Sequence, residues 1–174
     1  MRNPVRLSLF SMMAAFAILI AEPSLAQQAK APLTPYQLVE SQYQANARGD
    51  IDGMMAVLAP DVVWTEMAGF PYGGTYVGPQ AILDNVVRHV GEDWDSYTFT
   101  LERLIDAGDT IIGIGVYAGV YRRTGKPMSA RVVHIWDVRN GKVARFEQFA
   151  DTLLISQAMI GPGVARTEAA APAP

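Results

Sequence analysis

Asn140-Gly141 is the feature that most limits what this chain can become. A two-residue type I′ turn demands positive φ at both central positions, and Asn-Gly accepts it most readily. The flanking stretch Ala130 to Asp151, ARVVHIWDVRNGKVARFEQFAD, therefore reads as a β-hairpin. The turn sets the register, with Arg139 facing Lys142 and an unbroken ladder following outward. One face then carries Val138/Val143, Trp136/Arg145, His134/Glu147, Val132/Phe149 and Ala130/Asp151. The other carries Asp137/Ala144, Ile135/Phe146, Val133/Gln148 and Arg131/Ala150. On this reading His134 and Glu147 are cross-strand neighbours with Cβ atoms about 5 Å apart. A histidine and a carboxylate set among Trp136, Val132 and Phe149 form a polar pair in an apolar field.

The two ends of the chain read differently from its middle. Arg2 and Arg6 precede a nearly unbroken apolar run from Leu7 to Ala21, and Ser24-Leu25-Ala26 offers a small-x-small cleavage pattern. Residues 1–26 are thus expected to be a signal peptide, with the mature protein periplasmic or secreted; an uncleaved N-terminal anchor is the alternative. Residues 27–32 read as a linker and 161–174 as a disordered Pro/Ala tail without apolar period. No other segment approaches the ~20 apolar residues of a membrane helix, so no membrane contact is expected after cleavage. Removing Arg2, Arg6 and Glu22 changes 14 basic and 17 acidic residues to 12 and 16, a net charge of −4. With no basic run, nucleic acid is an unsuitable partner. The absence of cysteine excludes disulfides, thiolate metal sites and a cysteine nucleophile.

Between those ends, Leu33-Thr34-Pro35-Tyr36-Gln37-Leu38 is a complete helix start. Thr34 caps, Pro35 takes the first position and Gln37 closes a capping box. That helix runs to about Arg48 and ends at Gly49. Asp50 caps a short second helix, Ile51 to Leu58, which Pro60 stops. Val62 to Met67 alternates as a strand, placing Val62, Trp64 and Glu66 on one face. Ala68 to Gly74 reads as a loop, and Gly78-Pro79 opens a third helix reaching about Val90. Strands follow at Tyr97–Asp106 and Thr110–Tyr121, then the hairpin, then a short helix from about Thr152 to Met159. Helices followed by an antiparallel meander make an α+β fold in one domain, residues 33–160.

The stretches ARGDIDGMMAVLAPDVVWTE, GTYVGPQAI and HIWDVRNGKVARFEQFAD resemble the SnoaL-like branch of the NTF2-like superfamily, relatives of ketosteroid isomerase, polyketide cyclases and limonene epoxide hydrolase. The resemblance implies a cone: a strongly curved antiparallel sheet wrapped round three helices, with a pocket at its open end. It also implies a homodimer through the outer sheet face, a role that Ile135, Phe146 and Val133 would suit. Counting from Gly49, Asp50, Asp52 and Gly53, the isomerase's catalytic base falls on Glu66. Counting back from Asn140-Gly141-Lys142, its acidic oxyanion donor falls on His134. Its helix-1 tyrosine falls on Gln42, with Tyr43 one position off. The Asp-Arg-Asp set of the epoxide hydrolase is not found. The cyclases' pairing of a histidine with an acid on the last strands is similar in kind to His134 with Glu147 or Asp151.

Candidate catalytic residues are therefore Glu66, His134, Asp151 and Glu147, each with a plainer reading beside it. His134 could be hydrogen-bonded structure, and Glu66 a solvated strand end. Asp151 suits the N-cap of the last helix. Glu147 could pair with Arg145 on the surface. Candidate ligand-binding residues are Trp64, Tyr72, Tyr76, Trp136, Tyr43 and Phe149, against simple packing. Gly113, Gly115 and Gly119 alternate along one strand, as sheet curvature or close packing requires, and form no phosphate loop. No group has metal-ligand spacing and no cofactor motif is present. Three functions fit. The chain is a cofactor-free enzyme of isomerase, cyclase or hydratase type in which Glu66 moves a proton and His134, oriented by Glu147 or Asp151, donates to an oxyanion on a small, largely apolar, carbonyl-bearing molecule. Otherwise it is a small-molecule binding domain, or an interaction module working through its outer sheet.

Overall fold

A computed structural model describes residues 31–161. The expected leader 1–26, linker residues 27–30 and tail residues 162–174 lie outside the described residues. Helix α1 (Pro35–Ala47) begins as its sequence dictates: Gln37 N–H donates to Thr34 Oγ1 at 3.2 Å and Thr34 N–H to Gln37 Oε1 at 3.0 Å. Asp50 caps α2 (Ile51–Ala56) by accepting from Gly53 N–H at 2.8 Å.

Helix α2 ends two residues sooner than expected, because the chain is already extended at Leu58. Strand β1 (Leu58–Glu66) starts there, and Pro60, expected as a helix stop, sits inside it. The ladder to its neighbour is interrupted between Leu58 and Val63, and in that gap a residue without N–H costs no bond. Strand β2 (Gly74–Val77) was not anticipated; it is a short edge strand pairing Glu66 with Gly74 and Val63 with Val77. Helix α3, residues 79–93, is α-helical at both ends and a π-helix over Leu83–Val87. Strands β3 (Trp94–Ala107), β4 (Thr110–Tyr121), β5 (Lys126–Arg139) and β6 (Lys142–Ala150) follow, then α4 (Thr152–Met159).

The six strands form one open sheet in the order β2-β1-β6-β5-β4-β3. All neighbours are antiparallel except β1 and β6. Curvature comes from β3, whose register slips between Asp95 and Thr98 and again between Leu101 and Arg103. At the second slip Gly115 faces Leu101; a Cβ on Gly115 would overlap the Thr100 carbonyl and the Phe99 ring, so only glycine lets the strands close up. The concave face is covered by two apolar clusters, one including Val39, Ile82, Trp136 and Phe146, the other Trp94, Tyr121, Met128 and Ile155. Burying each such side chain contributes about 1.5–3 kcal/mol.

The Asn140-Gly141 turn has φ of 51° and 71°, as a type I′ turn needs. Its ladder does not run unbroken. Arg139/Lys142 and Val138/Val143 pair as expected, but Ala144 is then skipped and Asp137 faces Arg145. Beyond this β-bulge every expected pair shifts by one: Trp136 faces Phe146, His134 faces Gln148 and Val133 faces Phe149. The cause is burial. A straight ladder would press the charges of Arg145 and Glu147 into the core beside Trp136 and His134, whereas the bulged one inserts Phe146 and an uncharged amide.

Candidate functional site

The site is one rung of the sheet. Gly74, Glu66, Gln148, His134, Gly113 and Leu104 are successive register partners across β2, β1, β6, β5, β4 and β3. Four residues stand near its middle. Glu66, Gln148 and His134 are 3%, 1% and 4% exposed, and Gly113 leaves space beside them. A Cβ on Gly113 would overlap the Tyr43 hydroxyl, so the glycine admits the α1 tyrosine to the imidazole.

Both nitrogens of His134 are engaged. The Tyr43 hydroxyl lies 2.9 Å from Nδ1 and the Tyr117 hydroxyl 2.7 Å from Nε2. Burial lowers the His134 pKa to about 3, so the ring is neutral and holds one proton. Which nitrogen holds it follows from the neighbours. Tyr117 donates its only proton to Gln148 Oε1 at 2.6 Å, so it accepts from Nε2–H. Nδ1 is then the acceptor of the Tyr43 proton, and the Tyr43 oxygen accepts from Trp136 Nε1–H at 2.7 Å. Trp136, Tyr43, His134, Tyr117 and Gln148 form a single directed chain.

Glu66 stands at its end. Its Oε1 accepts from Trp64 Nε1–H at 2.7 Å, while Oε2 is buried without a partner. Burial raises its pKa to about 7, against the lowering influence of the Trp64 indole and the nearby Gln148 amide. Gln148 Nε2 and Gln42 Oε1 are likewise buried and unpaired. These groups border a cavity of about 470 Å³. Its walls include Trp64, Trp136 and Phe146 on the sheet, Val86 and Val90 on α3, and Phe70 from the loop before β2.

Of the expected site residues, Glu66, His134, Trp64, Trp136 and Tyr43 line this cavity together. The others lie elsewhere. Glu147 is not beside His134; the bulge turns it outward, where it accepts from Arg145 at 2.9 Å. Asp151 is exposed and caps α4 by accepting from Leu154 N–H at 3.2 Å. Phe149 is 44% exposed on the outer face, and Phe146, expected outside, is buried at 1%. Tyr72 donates to Asp93 Oδ2 at 2.8 Å and accepts from Trp94 Nε1–H at 3.0 Å, while Tyr76 donates to the Tyr72 carbonyl at 2.9 Å. Neither borders the cavity; Tyr72 ties the loop carrying Phe70 to the end of α3, and Tyr76 ties β2 back to that loop. Sequence reasoning missed Tyr117 and Gln148. Alternation along β4 puts Tyr117 on the face of Gly113 and could have found it, but without the bulge Gln148 points the wrong way.

The SnoaL-like domain family matches residues 39–146. An NTF2-like protein from Burkholderia thailandensis is 56% identical, with 74% of this chain and 98% of that one covered and a TM-score of 0.73. TerC, co-crystallized with polyporic acid, is 25% identical, with 72% and 98% covered and a TM-score of 0.66. A protein of ketosteroid isomerase-like fold from Catenulispora acidiphila, solved in complex with trimethylamine, shares the fold at 17% identity, with 74% and 95% covered and a TM-score of 0.61. No match was found among curated proteins.

Proposed function

This chain belongs to the SnoaL-like family of the NTF2-like superfamily, and from that premise we propose that its cavity takes a small, largely apolar molecule bearing a carbonyl, on which Glu66 moves a proton. One observation carries the reading: a carboxylate buried among aromatic walls, with a single hydrogen bond and a pKa raised to about 7. Such a group is divided between base and acid near neutral pH, where proton transfer is most efficient. Removing a proton from the carbon beside a carbonyl leaves negative charge on the carbonyl oxygen. His134 does not meet that oxygen directly, because both its nitrogens are held by tyrosines. It acts through Tyr43, which borders the cavity and whose one hydroxyl proton, given to Nδ1 in this arrangement, has to be released before it can reach that oxygen. Isomerisation and aldol-type cyclisation both begin with this step. The ligands of the two relatives, polyporic acid and trimethylamine, support a small-molecule pocket.

Deuterium uptake from D₂O by a panel of small enolisable aromatic ketones tests the step. At least one ketone should gain deuterium beside its carbonyl, and Glu66→Gln should slow that uptake by about 10²–10⁴-fold. A second reading, a binding domain without turnover, draws on the hydroxyl protons of Tyr43 and Tyr117 both being taken up within the protein, between Trp136 and the Gln148 carbonyl. It predicts calorimetric binding of the same ketones with no exchange above buffer.

We also propose that the working protein is a homodimer outside the cytoplasm. Arg2, Arg6 and the run Leu7–Ala21 support export. The outward side chains Ile112, Ile114, Val116, Val133 and Ile135, half-buried in one chain, support a partner over the sheet. A periplasmic product lacking 26 residues and sedimenting as a dimer is the expected result; a full-length monomer would refute both.

A further inference from the structure

Glu66 and Gln148 are register partners on adjacent strands, so their side chains rise from the same face about 5 Å apart. Each ends in a buried atom with no partner, Glu66 Oε2 and Gln148 Nε2. Unpaired buried polar atoms are costly, about 1–3 kcal/mol each, and two such atoms on neighbouring side chains ask what the pair is built to do. Gln148 is also the register partner of His134, and its other amide atom receives the Tyr117 proton. It is hydrogen-bonded into the His134 chain on one side and stands beside the proton-moving carboxylate on the other.

We propose that Gln148 is a positioning residue: its amide follows the protonation of Glu66 and, through Tyr117 and His134, decides whether the Tyr43 proton is committed to His134 or offered to a ligand oxygen. The inference rests on Glu66 being the proton-moving group. Ionised Glu66 calls for a donor, so Gln148 turns its NH₂ toward Glu66 and leaves Oε1 to accept from Tyr117. The chain then runs in the direction that the Tyr117–Gln148 bond implies, with His134 protonated at Nε2 and the Tyr43 proton held by Nδ1. Protonated Glu66 is itself a donor and calls for Oε1. The amide turns over, its NH₂ donates to Tyr117, and Tyr117 donates to Nε2. The imidazole proton now sits on Nδ1 and donates to the Tyr43 oxygen, so the Tyr43 proton is released toward the cavity. Each tyrosine keeps one proton, the imidazole proton changes nitrogen by exchange with solvent, and no net charge moves. The oxyanion donor is thus freed when the base has taken its proton.

Other groups facing the rung do not titrate in the same window. Tyr43, Tyr97 and Tyr117 border the cavity, and Tyr76 lies near Glu66; burial raises all four tyrosines above the ordinary value. His134 remains neutral down to acid pH. Among the described residues no Lys, Arg or Asp lines the cavity.

Nitrogen-15 NMR of the imidazole tests this without substrate. The chain has two histidines, and replacing the exposed one, His89→Gln, leaves His134 alone in the spectrum. As pH falls from 9 to 5, the protonated and bare nitrogen signals of His134 should exchange places with a midpoint set by Glu66. Gln148→Met should hold one tautomer across the range. A tautomer that ignores pH in the otherwise native chain overturns the proposal even if Gln148→Met does not fold, and so does unchanged pH dependence in Gln148→Met. If the tautomer switches while no ketone takes up deuterium, the catalytic reading fails and the coupling stands; the converse result separates them the other way.

Discussion

The inner face of the β5–β6 hairpin holds His134, Trp136, Phe146 and Gln148 at 1–4% exposure. The outer face of the same two strands holds an Arg145–Glu147 ion pair and a Phe149 left 44% exposed. Both faces draw on aromatic and polar residues from one short stretch, so composition does not distinguish them. A single unpaired residue, Ala144, sorts them by moving the charges out and the neutral amide in. What the contrast teaches is that a polar group enters this core only where its charge can be absent: His134 is neutral and Gln148 has no charge. Glu66 meets the same condition through its displaced pKa, which keeps its carboxyl protonated up to about 7.

The sharpest way to break the comparison is to truncate one phenylalanine from each face. Phe146 stacks on Trp64 at 3.7 Å and meets Trp136 at 4.4 Å, so Phe146→Ala should cost about 3–5 kcal/mol in denaturant unfolding. Phe149→Ala in the monomeric chain should cost under about 1 kcal/mol. Similar losses from both would mean the bulge is absent.

The inner face can be sharpened by pH. Folded Glu66 keeps its proton to about 7, against 4.5 as its ordinary value, so its contribution is present below 4.5 and lost as pH rises to about 7. Folded His134 loses its proton at about 3 rather than 6.5, so its contribution is present above 6.5 and lost as pH falls to about 3. Between 4.5 and 6.5 the two slopes oppose and unfolding free energy should be nearly flat. Glu66→Gln leaves the His134 slope alone, and stability should then climb with pH by up to about 1.4 kcal/mol per unit. A flat profile in that variant would show that His134 is not held neutral.

The smallest effect belongs to the outer face. The Arg145–Glu147 pair is solvent-screened, so Glu147→Gln should change stability by less than about 0.5 kcal/mol and leave deuterium uptake untouched. A loss of uptake would return Glu147 to the site.

Much of this was legible beforehand because it is local. The Thr34 capping box, the Gly49 stop, the Asn140-Gly141 turn and the alternation of Val62, Trp64 and Glu66 depend on neighbours within a few residues. The glycine alternation along β4 was also readable, though not that Gly113 makes room for a tyrosine from α1. Strand β2 and the strand setting of Pro60 were not readable, since each exists only through a partner strand.

By itself the sequence determined the α+β order of elements, the hairpin and the two residues, Glu66 and His134, that anchor the rung. It could not determine which carboxylate or amide stands next to His134. A turn fixes register only as far as the ladder stays regular, and whether it does depends on what the opposite wall will bury. Here the aromatic wall excludes Arg145 and Glu147, and the tertiary structure alone, by one skipped residue, gave their places to Phe146 and Gln148.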